Sequence, residues 1–372
     1  MEIVPTPACI PALRFEDIAG WSDLDASPAL AALRRQCAAG RRTPAHAAWL
    51  DRLCATLPDG SDPETARAFF ENRFRPVAMG RDGSGFLTGY YEPELDASPL
   101  PDGPFVVPLL GPPDDLVTIE PGNRPSGLPD TFSHARRLPD GSLGEQPDRA
   151  AIGAGALAGR ARPVAFLADP VDAFFVHVQG SARLRMPDGS VVRVGYAGKT
   201  GHPYTAIGRV LVDRGAMRLE DVTADAIRAW LKANPDAAAE VMNANRSYVF
   251  FRLKPDADPA LGPIAAAGAP LTPLASIAVD RGHVPYGTPI LIAGELPIAD
   301  PDADAPFRTL AIAQDTGSAI VGPARGDLFV GSGDAAGLVA GRIRPRVEMI
   351  RLEPIADDTG PSNGSTLRTA GR

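Results

Sequence analysis

The chain has 372 residues, of which 44% are hydrophobic and 22% charged, with a net charge of −8. That length accommodates two domains of ordinary size, and the composition is that of a globular protein with an apolar core of its own. An acidic chain without a Lys/Arg block excludes nucleic-acid binding, which depends on clustered basic surface.

The N-terminal stretch Met1 to Phe15 lacks the basic and apolar regions of a signal peptide. Ala8-Cys9 resembles a lipoprotein cleavage site, but the preceding apolar run is missing. Export through residues outside this chain and a cytoplasmic location both stay open. No run approaches the roughly 18 apolar residues of a membrane span.

Residues 16–75 read as helical. Leu30, Leu33 and Cys37 recur at helical spacing, a second run surrounds Trp49, Leu50 and Leu53, and a third opens at Asp62-Pro63, a capping residue followed by a proline suited to the first turn. Cys9, Cys37 and Cys54 form no zinc pattern. Cys37 and Cys54 either pair or lie buried as thiols, and the buried thiol is the favoured reading, because free Cys behaves as a small hydrophobe.

Gly85 to Tyr91 then reads as an aromatic, β-branched strand. Residues 96–146 are rich in Pro, Gly and Asp, as loops are, and a short helix is expected near 147–159. Phe174 to Met186 is read as one arm of a hairpin, Pro187-Asp188-Gly189-Ser190 as its turn and Val191 to Tyr196 as the other arm. On such a strand His177 and Gln179 share a face opposite Val176 and Val178. Helical patterns return at 204–214 and 223–245. From Ser247 short strands follow one another at 248–251, 276–279, 289–292, 310–313 and 347–352, the spacing of a barrel. The tail from Ala356 reads as disordered.

These elements suggest that the 84–94 strand and the strands after 247 form one barrel, with a second domain inserted between them. The expected division is 1–104 with 246–355, 105–245 as the insert, and 356–372 as the tail. A groove between the two domains is the default place for chemistry.

The densest group of reactive side chains is C-terminal. Asp280 ends Val279-Asp280-Arg281-Gly282, Asp315 lies in Gln314-Asp315-Thr316-Gly317-Ser318, and Asp327 lies in Arg325-Gly326-Asp327-Leu328-Phe329. Any one of them reads better as a turn-capping aspartate; for three within 48 residues, each beside an apolar strand, capping and chemistry weigh evenly. Asp315-Thr316-Gly317-Ser318 also spells the active-site string of pepsin-like proteases, but the second copy, Asp358-Thr359-Gly360, lies only 43 residues on, in the tail, without a lobe between. Gly153-x-Gly155-x-x-x-Gly159 lacks dinucleotide-binding spacing. His46, His134, His177, His202 and His283 show no metal spacing, and no metal or organic cofactor is expected.

Together with Phe86-Leu87-Thr88-Gly89-Tyr90-Tyr91-Glu92-Pro93, Ala168 to Phe175, His177 to Ser181 and Asn245 to Phe251, the three aspartates resemble the lytic murein transglycosylases of the MltA family, whose C-terminal part is a three-aspartate (3D) domain. The resemblance runs from about Phe15 to Leu352. It implies a mainly β fold, a double-psi β-barrel with an inserted smaller β domain and a glycan strand in the groove. It also implies cleavage of the β-1,4 bond between N-acetylmuramic acid and N-acetylglucosamine, leaving a 1,6-anhydromuramyl end. Asp327 matches the family's catalytic acid, and Asp315 and Asp280 its supporting aspartates. Thr88, Tyr90, Tyr91, Gln179, Lys199 and Gly317 are candidate substrate contacts, with Tyr196 beside them; one of the two adjacent tyrosines is expected in the core, since they point to opposite faces. The expected setting is a periplasmic monomer acting on peptidoglycan strands, with an outer-membrane or cell-wall complex as a further partner. A hydrolase using two of the aspartates and a catalytically silent glycan-binding protein stay open as alternatives.

Overall fold

The computed structural model describes residues 13–39, 47–80, 83–120, 122–255 and 258–355. The tail reading, Cys9, His46 and Asp358-Thr359-Gly360 lie outside them. Three helices, α1 (Ser27–Ala38), α2 (Ala47–Cys54) and α3 (Pro63–Arg73), lead into β1 (Phe74–Ala78) and β2 (Ser84–Glu92). Then come β3 (Glu94–Asp96), β4 (Val107–Leu110), β5 (Leu116–Thr118), β6 (His134–Arg137), β7 (Leu143–Gly144), α4 (Arg149–Gly153), β8 (Pro163–Leu167) and α5 (Pro170–Gln179). They are followed by β9 (Ser181–Arg185), β10 (Val191–Lys199), α6 (Ile207–Asp213), α7 (Ala224–Ala233), α8 (Pro235–Asn243) and β11 (Val249–Pro255). The chain finishes with β12 (Ser276–Val279), β13 (Pro289–Asp300), β14 (Ala303–Asp315), β15 (Arg325–Ser332), α9 (Gly333–Ala340) and β16 (Arg346–Pro354).

The larger sheet has the order β1-β16-β13-β14-β12-β15-β2, and β2 pairs back onto β16. Six strands therefore close into a barrel, with β1 attached outside the ring. The fold is mainly β, consistent with a double-psi barrel. Strand alternation builds its two faces: Ile290, Ile292, Ala311 and Ala313 point into the barrel with Leu87, Ile277, Val279 and Leu328, while Leu291, Leu310 and Ile312 point out against Leu30, Leu33, Phe70 and Phe74 of the N-terminal helices. Asp62 caps α3 as its position suggests, accepting the Thr65 N–H at 2.9 Å.

A second, four-stranded sheet has the order β11-β10-β9-β3. Here the sequence reading needs three corrections. β11 pairs with β10 and not with the barrel, because the Tyr248-Val249-Phe250-Phe251 run supplies the apolar face that β10 and α5 need for their own core.

Phe174 to Gln179, the first half of the first hairpin arm, is helix, and Ser181 to Arg185 is the strand β9 that pairs with β10. Asp169 accepts the Val171 N–H at 2.7 Å, Pro170 stands in the first turn, and Gly180 ends the helix at φ 80°, which glycine alone adopts without strain. These three signals outweigh the strand propensity of Phe174 to Val178, so His177 and Gln179 lie on a helix and not on alternating strand positions. The turn itself is as read: Asp188 accepts the Ser190 N–H at 2.9 Å, and Gly189 has φ 82°.

Finally, Cys37 and Cys54 are not thiols but form a disulfide that ties α1 to α2. Closing a loop of 17 residues is expected to stabilise the fold by about 3 kcal/mol. Urea unfolding with and without reductant measures it; an unchanged unfolding free energy would mean that packing alone holds α2. The helix matters beyond its own core, because Trp49 and Leu50 pack onto Gly287, next to Tyr286 at the edge of the site described below.

Candidate active site

The strand register brings the reactive residues into one row. Thr88 on β2 pairs with Asp327 on β15, Asp327 with Ala278 on β12, and Ala278 with Asp315 on β14. Directly paired residues present their side chains on the same face. The two carboxyl groups are thus on strands two apart, roughly 10 Å between backbones, with Ala278 at the paired position on the strand between them. Ala278 is buried, so Ala278→Leu is expected to force the two aspartates apart and lower activity more than about tenfold, with an overpacking cost of about 1–3 kcal/mol. Steady-state rates and thermal unfolding of that variant check both parts.

Asp327 is half-buried. Thr88 Oγ1 donates to its Oδ1 at 2.5 Å, and Arg325 Nη2 donates to Thr88 Oγ1 at 2.7 Å. Burial, with help from the Asp315 charge, raises its pKa to about 6 against the lowering effects of the Thr88 bond and Arg325. A carboxyl so placed is still partly protonated near neutral pH, as a general acid must be.

Asp315 is engaged at both oxygens: Oδ1 accepts the Ala266 N–H at 3.0 Å and Oδ2 accepts the Tyr90 hydroxyl at 3.0 Å. Burial raises it, and these bonds oppose the rise. Asp280 differs in kind. It accepts the N–H of Gly322 at 2.8 Å and of Gly282 at 3.0 Å, and these two backbone bonds hold its carboxyl below the usual range. It is an ionised staple joining two loops.

Tyr90 and Tyr91 point to opposite faces, Tyr90 toward Asp315 and Phe329 and Tyr91 toward Gly337 and Arg228. From the second sheet's side, Gln179 Oε1 accepts the Tyr91 N–H at 3.2 Å. Lys199 Nζ donates to Ser318 Oγ at 2.8 Å, beside exposed Gly317, so it bridges β10 to the loop after Asp315. Tyr196 is exposed on the same strand. Among the described residues no three His, Cys, Asp or Glu side chains converge as metal ligands.

Sequence reasoning missed Tyr204 and Tyr286. The Tyr204 phenol lies within electrostatic reach of Asp327 and Arg149, and Tyr286, pushed up to about 12 by burial, lies near Asp315. Both sit on irregular loops: Tyr204 was read into a helix that begins only at Ile207, and no pattern marks Tyr286.

Comparison with known proteins agrees with this geometry. The family model described as the MltA specific insert domain matches residues 86–252, and the 3D domain model matches residues 275–353. The membrane-bound lytic murein transglycosylase A of Vibrio cholerae is 33% identical over 300 residues, 79% of this chain and 72% of the relative. A crystal structure of a membrane-bound lytic murein transglycosylase from Agrobacterium tumefaciens superposes with a TM-score of 0.83 at 38% identity, covering 92% of this chain and 97% of that one. Escherichia coli MltA with bound chitohexaose superposes with a TM-score of 0.65 at 28% identity, covering 94% and 93%. A barrel carrying a row of aspartates, with a second β unit against it, defines a glycan-cleaving enzyme. The chain belongs to the MltA family of lytic murein transglycosylases.

Proposed function

We propose that this chain cleaves the β-1,4 bond between N-acetylmuramic acid and N-acetylglucosamine in peptidoglycan, with Asp327 as single general acid and then general base. The observation that carries the reading is a half-buried carboxyl raised to about 6 beside Thr88. Protonated Asp327 gives its proton to the glycosidic oxygen as the bond to C1 breaks. The 6-hydroxyl of the same muramic acid then attacks C1 and returns its proton to the Asp327 carboxylate. The enzyme ends as it began, and the product carries a 1,6-anhydro ring.

A hydrolase needs a second carboxylate free to activate water. Both oxygens of Asp315 and both of Asp280 already accept hydrogen bonds, which supports the single-acid reading. Thr88, Tyr90, Tyr91, Gln179, Lys199 and Gly317 lie on or beside the elements that frame Asp327 and Asp315, and we assign the sugar contacts to this set. The chitohexaose bound by the Escherichia coli relative supports a groove for a β-1,4 amino-sugar strand.

One chain supplies every residue of the row, so a monomer suffices. A disulfide fits an oxidising compartment, and the relatives are named membrane-bound; both support a periplasmic setting. Digestion of purified peptidoglycan, read by mass spectrometry, tests the reaction. Muropeptides one water lighter than hydrolytic products are expected, and products of hydrolytic mass would replace this reading with the two-carboxylate one.

A further inference from the structure

Arg325 stands two residues before Asp327 on β15 and makes contacts that the chemistry above does not use. Its Nη2 donates to Thr88 Oγ1 at 2.7 Å, its Nη1 donates to the Gly326 carbonyl, and its Cζ lies 5.1 Å from the Phe86 ring centroid. Among the described residues Arg325 forms no ion pair with a carboxylate within 4.0 Å. A half-buried guanidinium is thus aimed at a neutral hydroxyl, with that hydroxyl in turn 2.5 Å from the catalytic oxygen Oδ1.

The donor inventory decides what this arrangement does. A guanidinium only donates. With one lone pair of Thr88 Oγ1 taken by Arg325, the hydroxyl proton is directed to Asp327 Oδ1, and Oδ1 is held as an acceptor. The proton that Asp327 carries then resides on Oδ2. Without Arg325 the hydroxyl could rotate and accept a proton from Oδ1 instead, so the acid would lose its defined direction.

We propose that Arg325 is a positioning residue which, through Thr88, confines the catalytic proton to Oδ2 of Asp327. The inference rests on Asp327 being the acid. The charged and titratable groups that face Asp327 are Arg325 on its own strand, Tyr90 on β2, Asp315 on β14 and Tyr204 on the loop after β10. Arg325 is the one cation among them. Its charge and the Thr88 bond lower the pKa that burial and Asp315 raise, which keeps the group able both to give the proton and to take one back.

The test is the pH profile of kcat/KM on soluble glycan strands. A general acid loses activity as pH rises through its own pKa, so Asp327 governs the alkaline limb. Arg325→Met and Thr88→Val are each expected to move that limb upward by about one pH unit, with a fall in kcat. The double variant is expected to move it by less than the sum of the two single shifts, since both break one relay while the charge also acts directly. Arg325→Lys, which keeps the charge, is expected to hold the limb near the wild-type position. A folded Arg325→Met protein with the limb unmoved would overturn the proposal. If that variant does not fold, an unmoved limb in Thr88→Val overturns it equally. Asp327→Asn separates the two levels: retained activity removes the acid assignment itself, whereas an inactive Asp327→Asn with unmoved limbs in the other variants removes only the role of Arg325.

Discussion

Asp327→Asn is expected to lower turnover of peptidoglycan by roughly 10²–10⁴-fold, the usual contribution of a positioned acid–base group, while leaving a protein that is more stable than the wild type at neutral pH. The folded-state pKa of Asp327 is raised from 3.8 to about 6. A raised carboxyl favours folding only in its protonated form, so that contribution is complete below pH 3.8 and is lost as the pH climbs through 6. Above that the wild type carries a buried charge the unfolded chain would solvate freely. Replacing it with an isosteric amide, which can still accept from Thr88, is expected to recover about 1–3 kcal/mol. Chemical denaturation at pH 8 and at pH 4 checks this: the stabilisation is present at the first and absent at the second. An equal difference at both would separate the mutant's effect from ionisation.

Arg193→Met is expected to be the most damaging single change away from the catalytic row, at about 3–5 kcal/mol of stability. Glu92, at the end of β2, is fully buried. It accepts from Arg193 Nε at both oxygens, 3.0 and 3.1 Å, and from Ser332 Oγ at 2.9 Å, while Arg193 Nη2 reaches the Leu261 carbonyl at 2.5 Å. Desolvation alone pushes Glu92 upward, and the arginine opposes it. Removing the arginine leaves a buried carboxylate without its hydrogen-bonded cation, with the weaker pull of Arg183 remaining, at the place where β2 and β15 of the barrel meet β10 of the second sheet. The same variant is therefore expected to lower activity by loosening the groove. Urea unfolding beside steady-state kinetics measures both; a loss below about 1 kcal/mol would place the pair among exposed ion pairs.

Most of the barrel could be read from the chain because its strands are short apolar runs set between loops rich in Pro, Asp and Gly, with β12 and the start of β13 buried on both faces. The aspartates were visible for a related reason: Asp280 and Asp315 stand where apolar strands stop, and Asp327 stands at the start of the apolar run of β15. Their different characters were not. Asp280 and Asp327 each have an arginine and a glycine within two residues, yet one is held ionised by two backbone amides and the other is lifted by burial beside Thr88, and of those partners Gly322 and Thr88 come from remote segments. The α5 misreading has a local cause: Asp169-Pro170 and Gly180 were start and stop signals in plain view, and an aromatic and β-branched run outweighed them. The fate of Cys37 and Cys54 depended on two helices packing side by side, which spacing alone does not give. Tyr204 and Tyr286 lie on loops and acquire their neighbours only from the tertiary fold.

The Thr88–Asp327 hydrogen bond joins residues 239 positions apart, and the Tyr90–Asp315 bond spans 225. Half of the acid's environment is made early in synthesis and the other half almost last. Contacts of such long range form late, after the intervening chain has closed its loops. A nascent, partly threaded or truncated chain ending before Arg325 therefore lacks the carboxyl that we propose as the acid, however well its N-terminal helices have folded. For an enzyme whose substrate is a structural wall, this ordering amounts to latency during synthesis: lytic capacity appears only once the segment that carries Asp327 has been made and has folded onto β2.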